Sequence, residues 1–233
     1  MSNPSHPALR VASYNIRAGL GTDLRRDPLR VLHTVAALGA DIVALQEADF
    51  RLGERPTALP LGLIESETGL VPVALNRGDS LGWHGNAILA RPGIAAAAIH
   101  PLDLPGLEPR GALAVDFDGG LSLRLVAVHL GLLRRSRRQQ LDQLRDTLAD
   151  MPRRPTVILG DFNEWSQKRG LGRLARSYRI VTPGRTFPST LPVGALDRIA
   201  HSPDLTVTPV RLPRPRGPHA SDHLPVLAEI APA

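Results

Sequence analysis

The sequence predicts an α/β (α+β) domain in which two packed β-sheets carry helices on their outer faces. This prediction rests on many short apolar runs with strand character, on helical segments grouped between them, and on the Gly and Pro breaks that separate them. The 233 residues are 42% hydrophobic, which is enough for one large core. No repeat or shift in composition marks a boundary. We therefore expect residues 1–8 to form a tail and residues 9–230 a single domain.

The first elements read as strand, helix and strand. Leu9 to Ile16 predicts a strand. Pro28 suits the first turn of a helix, and the apolar residues after it recur on one face. Asp41 to Glu47 predicts a second strand, and its continuous apolar centre indicates that this strand is buried.

The middle of the chain predicts more strands and the clearest helix. Gly and Pro separate four strand-like runs, which we expect to form an antiparallel meander. These runs are Asn86 to Ala90, Ile94 to His100, Gly111 to Phe117 and Leu121 to Leu130. Arg134 to Asp150 predicts a helix, because leucines recur at helical spacing while charged residues occupy the other face.

The last third of the chain alternates strands and loops. Thr156 to Leu159, Thr206 to Val210 and Val226 to Ile230 predict strands. Arg211 to Pro218 is rich in Pro, Arg and Gly, and it must be a loop because proline interrupts helices.

Composition excludes several classes of protein. There is no cysteine, so disulfides, thiolate metal sites and cysteine nucleophiles are absent, and a metal must be bound by oxygen or imidazole. No apolar run approaches the length of a transmembrane helix, and no secretory signal is recognisable, so we expect a cytoplasmic protein, with peripheral contact at a membrane surface left open. The net charge is +6, almost all of the basic side chains are arginine, and no protein partner is indicated.

Polar side chains stand at the ends of several apolar strands. Asn15 and Glu47 close the first two strands, His129 lies near the end of a later one, and Asp161 and Asn163 follow a short apolar strand. A buried strand delivers its last side chain to a fixed point, so these residues are candidates for a shared site. Each of them taken alone is more often a satisfied polar cap than a functional group.

Further candidates follow near the C-terminus. Asp197 starts one strand-like run, and Asp222 and His223 directly precede another. Together the carboxylates and amides form an all-oxygen set suited to Mg²⁺ or Mn²⁺. Its members are Asn15, Glu47, Asp161, Asn163, Asp197 and Asp222, with His129 and His223 as imidazoles. Such a set fits metal-assisted hydrolysis of a phosphoester.

An ordered series of motifs now resembles the endonuclease/exonuclease/phosphatase (DNase I-like) superfamily. The series runs along nearly the whole chain, and the pairing of Gly-Asp-Phe-Asn with Ser-Asp-His is specific. It comprises Tyr14-Asn15-Ile16, Leu45-Gln46-Glu47, Gly85-Asn86-Ala87-Ile88-Leu89, Pro109-Arg110-Gly111, Val128-His129-Leu130, Gly160-Asp161-Phe162-Asn163, Leu196-Asp197-Arg198-Ile199 and Ser221-Asp222-His223.

The resemblance implies a fold and a metal site. The fold would be a four-layer αββα sandwich of two mixed sheets with outer helices, with the site at one end of both sheets. Glu47 resembles the principal Mg²⁺ ligand of the family, with Asn15 beside it. Asp222 would bind the metal directly or through a neighbouring ligand.

The resemblance also implies roles in catalysis. Asp161 would orient or deprotonate the attacking water, and Asn163 would hold the phosphate. His223, paired with Asp197, would stabilise the negative charge that develops, and His129 would donate to a phosphate oxygen.

Two residues fall in segments that border the substrate pocket in the family. They are Asn86 and Arg110, which would bind substrate or phosphate. Capping of a loop or a surface ion pair would explain either residue equally well.

The substrate is less closely defined than the reaction. Arg17 occupies a position where the DNA-repair nucleases of the superfamily carry an acid, and Asn86 lacks a neighbouring tyrosine. Motifs including Gly160 to Trp165 with Gln167-Lys168 are similar to those of a compact bacterial subgroup often encoded near cardiolipin synthases. We therefore expect a phosphodiester in a lipid headgroup, or another small anionic ester. The alternatives are a Mg²⁺-dependent DNA endonuclease and a non-catalytic anion-binding scaffold.

Two clusters of arginines bear on the substrate. Arg134, Arg135, Arg137 and Arg138 open the long predicted helix, and Arg211, Arg214 and Arg216 lie in the predicted loop. Either cluster would suit a DNA backbone or an anionic membrane surface. A solvated basic face is the simpler expectation for the first cluster.

Overall fold

The architecture comes from a computed structural model that describes residues 8–51, 55–75, 78–120, 122–166 and 169–233. Leu121, Gln167 and Lys168, and all of the predicted tail except Ala8, lie outside these ranges. The strands are β1 (Leu9–Asn15), β2 (Ile42–Gln46), β3 (Val71–Pro72), β4 (Ala87–Ala90), β5 (Ala96–Leu104), β6 (Arg110–Phe117), β7 (Leu123–His129), β8 (Thr156–Asp161), β9 (Arg179–Val181), β10 (Asp197–His201), β11 (Leu205–Val210) and β12 (Val226–Pro232). The helices are α1 (Pro28–Ala37), α2 (Leu61–Thr68) and α3 (Arg134–Asp150), with 3₁₀ turns at Arg17–Gly19 and Leu174–Arg176.

The strands form two six-stranded mixed sheets. The first sheet has the order β11-β12-β1-β2-β4-β3, and the second has the order β5-β6-β7-β8-β10-β9. Each sheet contains one parallel pair, β1 with β2 and β7 with β8, among antiparallel neighbours.

The predicted meander is only partly correct. β5, β6 and β7 pair antiparallel in sequence order, as expected. β4 instead lies in the first sheet, antiparallel to β2. Its residues are all buried, and a continuous apolar run of this kind does not show which of two sheets a strand joins.

The layers confirm the predicted sandwich of two sheets with outer helices. Val11, Ile42, Leu113 and Leu159 belong to a core that includes residues of both sheets. α1 and α2 contribute to a second core with the other face of the first sheet, and α3 packs on the second sheet through its leucines. Within the described ranges, no helix has the length and apolar character needed to cross a membrane.

The site lies where the inward-facing rows of these strands end. Side chains alternate between the two faces of a strand, so the row that supplies the central core continues to the last residue of that face. In the second sheet these rows are Leu125, Ala127 and His129 of β7, Val157, Leu159 and Asp161 of β8, and Ile199 and Asp197 of β10. His129 and Asp197 are the register partners of Asp161 on either side. On three neighbouring strands, a row of apolar residues therefore ends in a polar side chain, and these three side chains are adjacent.

Close packing of the backbone fixes the position of Asp161. Gly160 directly precedes it with φ 151°, and a methyl group there would overlap the carbonyl oxygen of Val128 on the neighbouring strand. Because this obstacle is backbone, it cannot move aside as a side chain would.

We expect Gly160→Ala to destabilise the protein by about 1–3 kcal/mol, because β7 and β8 must separate to admit the methyl group. Urea unfolding measures this change. Gly172→Ala is the matched control, since Gly172 is exposed and its added methyl group would meet no neighbour within 4 Å. Equal stability of the two variants would contradict the packing argument.

Candidate active site

Asp161 is the centre of the site. Its carboxylate is buried, and its Oδ2 atom accepts a hydrogen bond of 3.1 Å from Nδ2 of Asn15, across the two sheets. The Nε2 atoms of His129 and His223 approach the same oxygen at 3.5 and 3.6 Å. The other oxygen, Oδ1, accepts the backbone N–H of Asn163 at 2.9 Å. One carboxylate therefore joins both sheets and two imidazoles.

A second carboxylate holds His223. Nδ1 of His223 lies 2.9 Å from Oδ2 of Asp197, which is completely buried. His223 belongs to the loop before β12, so this contact fixes a loop residue against the second sheet. The ring of Phe187 packs 5.0 Å from the ring of His223, which restricts its rotation further.

Burial and charge set the protonation of this pair. Burial, followed by the negative charge of Asp197, raises the pKa of Asp161 to about 6. Burial opposes protonation of His223, but the charge and hydrogen bond of Asp197, together with the charge of Asp161, raise the pKa of His223 to about 9. At neutral pH His223 is therefore an imidazolium between two carboxyl groups.

The environment of His129 lowers the pKa of its imidazole, whereas the pKa of His223 is raised. Complete burial, followed by the positive charges of Arg110 and His223, lowers the pKa of His129 well below its ordinary value. His129 is therefore neutral at pH 7, and it offers one N–H donor. The site thus holds one charged and one neutral imidazole beside the same carboxylate.

Asn15 and Asn163 are oriented by local backbone contacts. Oδ1 of Asn15 accepts the backbone N–H of Arg17 at 3.1 Å. Nδ2 of Asn163 donates to the carbonyl oxygen of Leu130 at 2.8 Å, and Asn163 has φ 49°. The second Nδ2 hydrogen of Asn163 is left for another acceptor, because an amide carries two.

Glu47 is displaced from the inward row of its strand. Gln46 is the last residue of β2 and lies in register with Asn15. Glu47 has φ 53°, a conformation that non-glycine residues rarely adopt, so the chain turns immediately after the strand. Oε1 of Glu47 accepts a hydrogen bond from the guanidinium of Arg51 at 2.9 Å. Arg51 is 67% exposed, so this contact is weak and easily exchanged.

Glu47 and His129 line a small cavity of about 140 Å³ together with Arg110. Arg110 is buried rather than on the surface, and its guanidinium is held 2.7 Å from a carboxylate oxygen of Glu108. His84 lines the same cavity and accepts a hydrogen bond at Nδ1 from Arg55. Sequence analysis did not identify Glu108, Arg51 and Arg55, because no strand-end pattern marks them. His84 stands in a motif similar to that of the compact bacterial subgroup, but it was not predicted as a site residue.

Asn86 and Asp222 lie apart from the central cluster. Nδ2 of Asn86 donates to the carbonyl oxygen of Gly111 at 2.9 Å and so ties the two sheets together. Its buried Oδ1 has no hydrogen-bond partner within the described ranges. Oδ2 of Asp222 lies 3.3 Å from Nε of Arg17, in a partly exposed ion pair.

The donors present fit a divalent cation at Glu47 and Asn15. Both side chains offer oxygen, the element that Mg²⁺ and Mn²⁺ prefer, and the Asn15 oxygen keeps a lone pair beyond its contact to Arg17. Asp161, Asp197 and His223 are also close enough to hold an ion, with ligand atoms within 4.8 Å of one another. His223 suits this poorly, because a protonated imidazole cannot ligate a metal.

The expectation that the first arginine cluster forms a solvated basic face is wrong for Arg137. It is buried, and Nη2 donates to Glu164 at 3.1 Å, while Nη1 donates to the carbonyl oxygen of Leu132. Arg198 is also buried, and Nη2 donates to the backbone oxygen of Glu164. These arginines fix the segment that follows Asn163. Arg134, Arg135 and Arg138 are exposed, as expected.

Comparisons with known proteins identify relatives of similar sequence and similar fold. The uncharacterized protein YbhP of Escherichia coli K12 is 32% identical over 243 residues, covering 96% of each protein. The structure of a functionally unknown conserved protein from Enterococcus faecalis V583 superposes with a TM-score of 0.75 at 21% identity, covering 97% of this chain and 100% of that one. The mannosyl-6-phosphatase Bt3783 of Bacteroides thetaiotaomicron superposes with a TM-score of 0.72 at 18% identity, covering 96% and 100%.

The match to a family model covers most of the chain. The endonuclease/exonuclease/phosphatase family model aligns with residues 12–223, a range that contains the sandwich core and all the residues of the cluster around Asp161. The matched range thus spans the fold and the strand ends that carry the candidate site. The chain belongs to the endonuclease/exonuclease/phosphatase family.

Proposed function

We propose that the protein is a Mg²⁺-dependent phosphoesterase that hydrolyses a phosphodiester with an activated water molecule. The observation that carries this proposal is the Asp161 carboxylate, which is buried between two imidazoles and has a pKa raised to about 6. A carboxyl group with that pKa is mostly ionised at neutral pH and is still basic enough to accept a proton from water in the transition state.

The proposed reaction uses the cluster in a defined order. Asp161 accepts a proton as the water oxygen attacks phosphorus, the ester P–O bond breaks, and the leaving oxygen takes a proton from solvent, to which Asp161 then returns its own. The His223 imidazolium faces the negative charge that develops on the phosphate. Asp197 orients His223 through the 2.9 Å hydrogen bond, which also helps to keep this imidazole protonated.

Two neutral donors would hold the phosphate. Asn163 has one Nδ2 hydrogen that is not used by Leu130, and His129 is uncharged, so each can donate without repelling the cation. Arg110 and Asn86 would contact the substrate from the cavity side. Glu108 holds the Arg110 guanidinium in place, which supports this role more directly than the backbone contacts of Asn86 do.

Glu47 and Asn15 would hold Mg²⁺, with Mn²⁺ as a second choice. Bound there, the cation would offset negative charge on the phosphoryl oxygens. Arg51 must first release Glu47, and its high exposure makes that release inexpensive. Asp222 becomes a further ligand only if Arg17 releases it.

We propose a phosphodiester in a lipid headgroup, or another small anionic phosphodiester, as the substrate. The cavity of about 140 Å³ beside Glu47 and Arg110 supports a small anionic group at that point. A DNA endonuclease is the alternative, favoured by the net charge of +6. An inactive anion-binding scaffold is disfavoured, because anion binding does not need a carboxylate such as Asp161 with a raised pKa beside the charged His223.

We expect Asp161→Asn and Asp161→Ala to lower kcat/KM by at least about 100-fold, because neither side chain can accept the proton from water. The measurement is hydrolysis of bis(p-nitrophenyl) phosphate in Mg²⁺, beside nicking of supercoiled plasmid and release of phosphate ester from anionic phospholipids. Asp150→Ala is the control, since Asp150 is an exposed aspartate at the end of α3.

The outcomes separate the candidates. Plasmid nicking that depends on Asp161, without lipid turnover, would establish the nuclease. Activity of Asp161→Asn near that of the wild type would refute the general-base role. A wild-type protein that binds anions and turns over none of these substrates in Mg²⁺ or Mn²⁺ would support the scaffold.

We expect Glu47→Gln to raise the Mg²⁺ concentration for half-maximal activity by at least about tenfold, because it removes the charged ligand. Arg51→Ala should lower that concentration, since Arg51 competes with the cation for Oε1. Calorimetric titration of the proteins with Mn²⁺ checks both effects without turnover. Glu65→Gln, an exposed change on α2, should leave the affinity unaltered. An unchanged metal requirement in Glu47→Gln would show that the ion is held elsewhere.

A further inference from the structure

A second and much larger cavity lies on the outer face of the first sheet. This outer groove runs between α1 and residues 211–218, has a volume of about 1090 Å³, and reaches His223 at the active site. Its volume lies slightly above the usual range for small-molecule sites, roughly 300–1,000 Å³. No part of the proposed mechanism uses it beyond His223.

Much of the lining of the outer groove is aliphatic. Leu29, in the first turn of α1, lines the groove. Its side chain is 43% exposed, whereas other apolar residues of α1 are buried in the core. Opposite stand Val210 and Leu212, both only partly buried. Five prolines complete the apolar surface: Pro183, Pro213, Pro215, Pro218 and Pro225.

The charged residues of the groove are almost all cationic. Five arginines line it, and Asp27 is the only carboxylate among the lining residues. Arg30 pairs with Asp23 and Asp27. The other four arginines, Arg185, Arg211, Arg214 and Arg216, are exposed and form no ion pair with any residue that the structure describes. An anionic occupant would therefore find uncompensated charge beside apolar walls.

Buried polar atoms in the groove also lack partners. Thr186 is 2% exposed, and its hydroxyl has no hydrogen-bond partner in the part of the chain that the structure covers. The same holds for Nδ1 of His219. Both residues line the groove, and a buried polar atom without a partner is costly unless a ligand supplies one. These atoms suit the ester or hydroxyl oxygens of a glycerol backbone.

We infer that the outer groove binds the acyl-glycerol part of an anionic phospholipid while its phosphodiester reaches His223. This inference rests on the proposed function and assigns its substrate to one chemical class. The aliphatic walls accept the chains, Thr186 and His219 face the ester oxygens, and the unpaired arginines attract the anionic headgroups of the surrounding surface. A nucleic acid fits less well, because grooves for unpaired strands use exposed aromatic rings, and the ring of Tyr14 in this lining is buried.

The apolar walls are tested with Leu29→Glu. Glutamate at this first-turn position favours the helix, so a loss of binding would not come from unfolding of α1. Leu63→Glu is the matched control, because Leu63 is 39% exposed on α2 and does not line the groove. Binding of monomeric dihexanoyl phosphatidylglycerol is measured by calorimetry in chelator, which stops turnover, and kcat/KM on the deacylated analogue glycerophosphoglycerol is measured in Mg²⁺.

We expect Leu29→Glu to weaken binding of the short-chain lipid by at least about tenfold and to leave kcat/KM on glycerophosphoglycerol unchanged, because only the lipid has chains to place in the groove. Leu63→Glu should change neither quantity. Equal affinities of the two variants for the lipid would overturn the inference.

The cationic rim is tested with the double variant Arg214→Glu/Arg216→Glu. Arg153→Glu/Arg179→Glu is the matched control, since it makes the same change of charge at exposed arginines that do not line the groove. We expect only the first variant to lose, by at least about tenfold, its binding to vesicles of phosphatidylglycerol and phosphatidylcholine. A loss of plasmid binding with vesicle binding intact would overturn the inference in favour of a nucleic acid.

The two proposals fail in different ways. Lipid binding that depends on Leu29, with no hydrolysis of any phosphodiester, would refute the proposed function and leave the groove assignment standing. Hydrolysis of glycerophosphoglycerol that needs Asp161, with lipid binding indifferent to Leu29, would refute the groove and leave the function standing.

Discussion

The candidate site is held together by the contacts of one buried carboxylate, that of Asp161. This carboxylate accepts a hydrogen bond from Asn15 of the first sheet, it stands in register between His129 and Asp197 of the second, and it faces His223 from a loop. Removing it would therefore leave polar groups of both sheets without a shared partner. Burial of the Asp161 carboxylate costs solvation free energy, and its hydrogen bonds and its contacts with the imidazoles offset that cost.

The same arrangement couples protonation to folding. The pKa of His223 is raised from 6.5 to about 9, so the folded chain binds this proton more tightly than the unfolded chain does. The resulting stabilisation is complete below pH 6.5 and is lost as the pH rises through about 9. The raised pKa of Asp161 acts with the same sign at lower pH, because stability falls as the pH rises from 3.8 through about 6. His223 and Asp161 therefore contribute most to the stability of the folded protein when both are protonated.

Much of this architecture follows from local sequence patterns. Alternation along buried strands places Asn15, His129, Asp161 and Asp197 at the ends of inward rows, so their convergence is predictable once two sheets are assumed. His223 belongs to a loop and was a candidate because it directly precedes the apolar run of β12, and the motif resemblance added its pairing with Asp197. The sheet to which β4 belongs was not predictable, because its run is apolar on both faces.

Other features depend on contacts that the sequence pattern does not encode. The positive φ of Glu47 places its side chain outside the inward row, and no glycine at that position signals the turn. The burial of Arg137 depends on Glu164, which is 27 residues away, so its charge alone indicated a solvated face. The outer groove likewise forms between segments that are distant in sequence, α1 and residues 211–218. Local patterns therefore predicted the clustered side chains at the strand ends better than their surroundings.

A pH titration of the His223 ring by NMR in the metal-free protein measures directly whether this imidazole is charged at neutral pH. We expect a midpoint near pH 9, because Asp197 and Asp161 stabilise the imidazolium. Asp197→Asn should lower the midpoint. A midpoint at or below the ordinary value of 6.5 in the wild type would contradict the proposed reaction, since His223 would then be neutral where that reaction needs a cation.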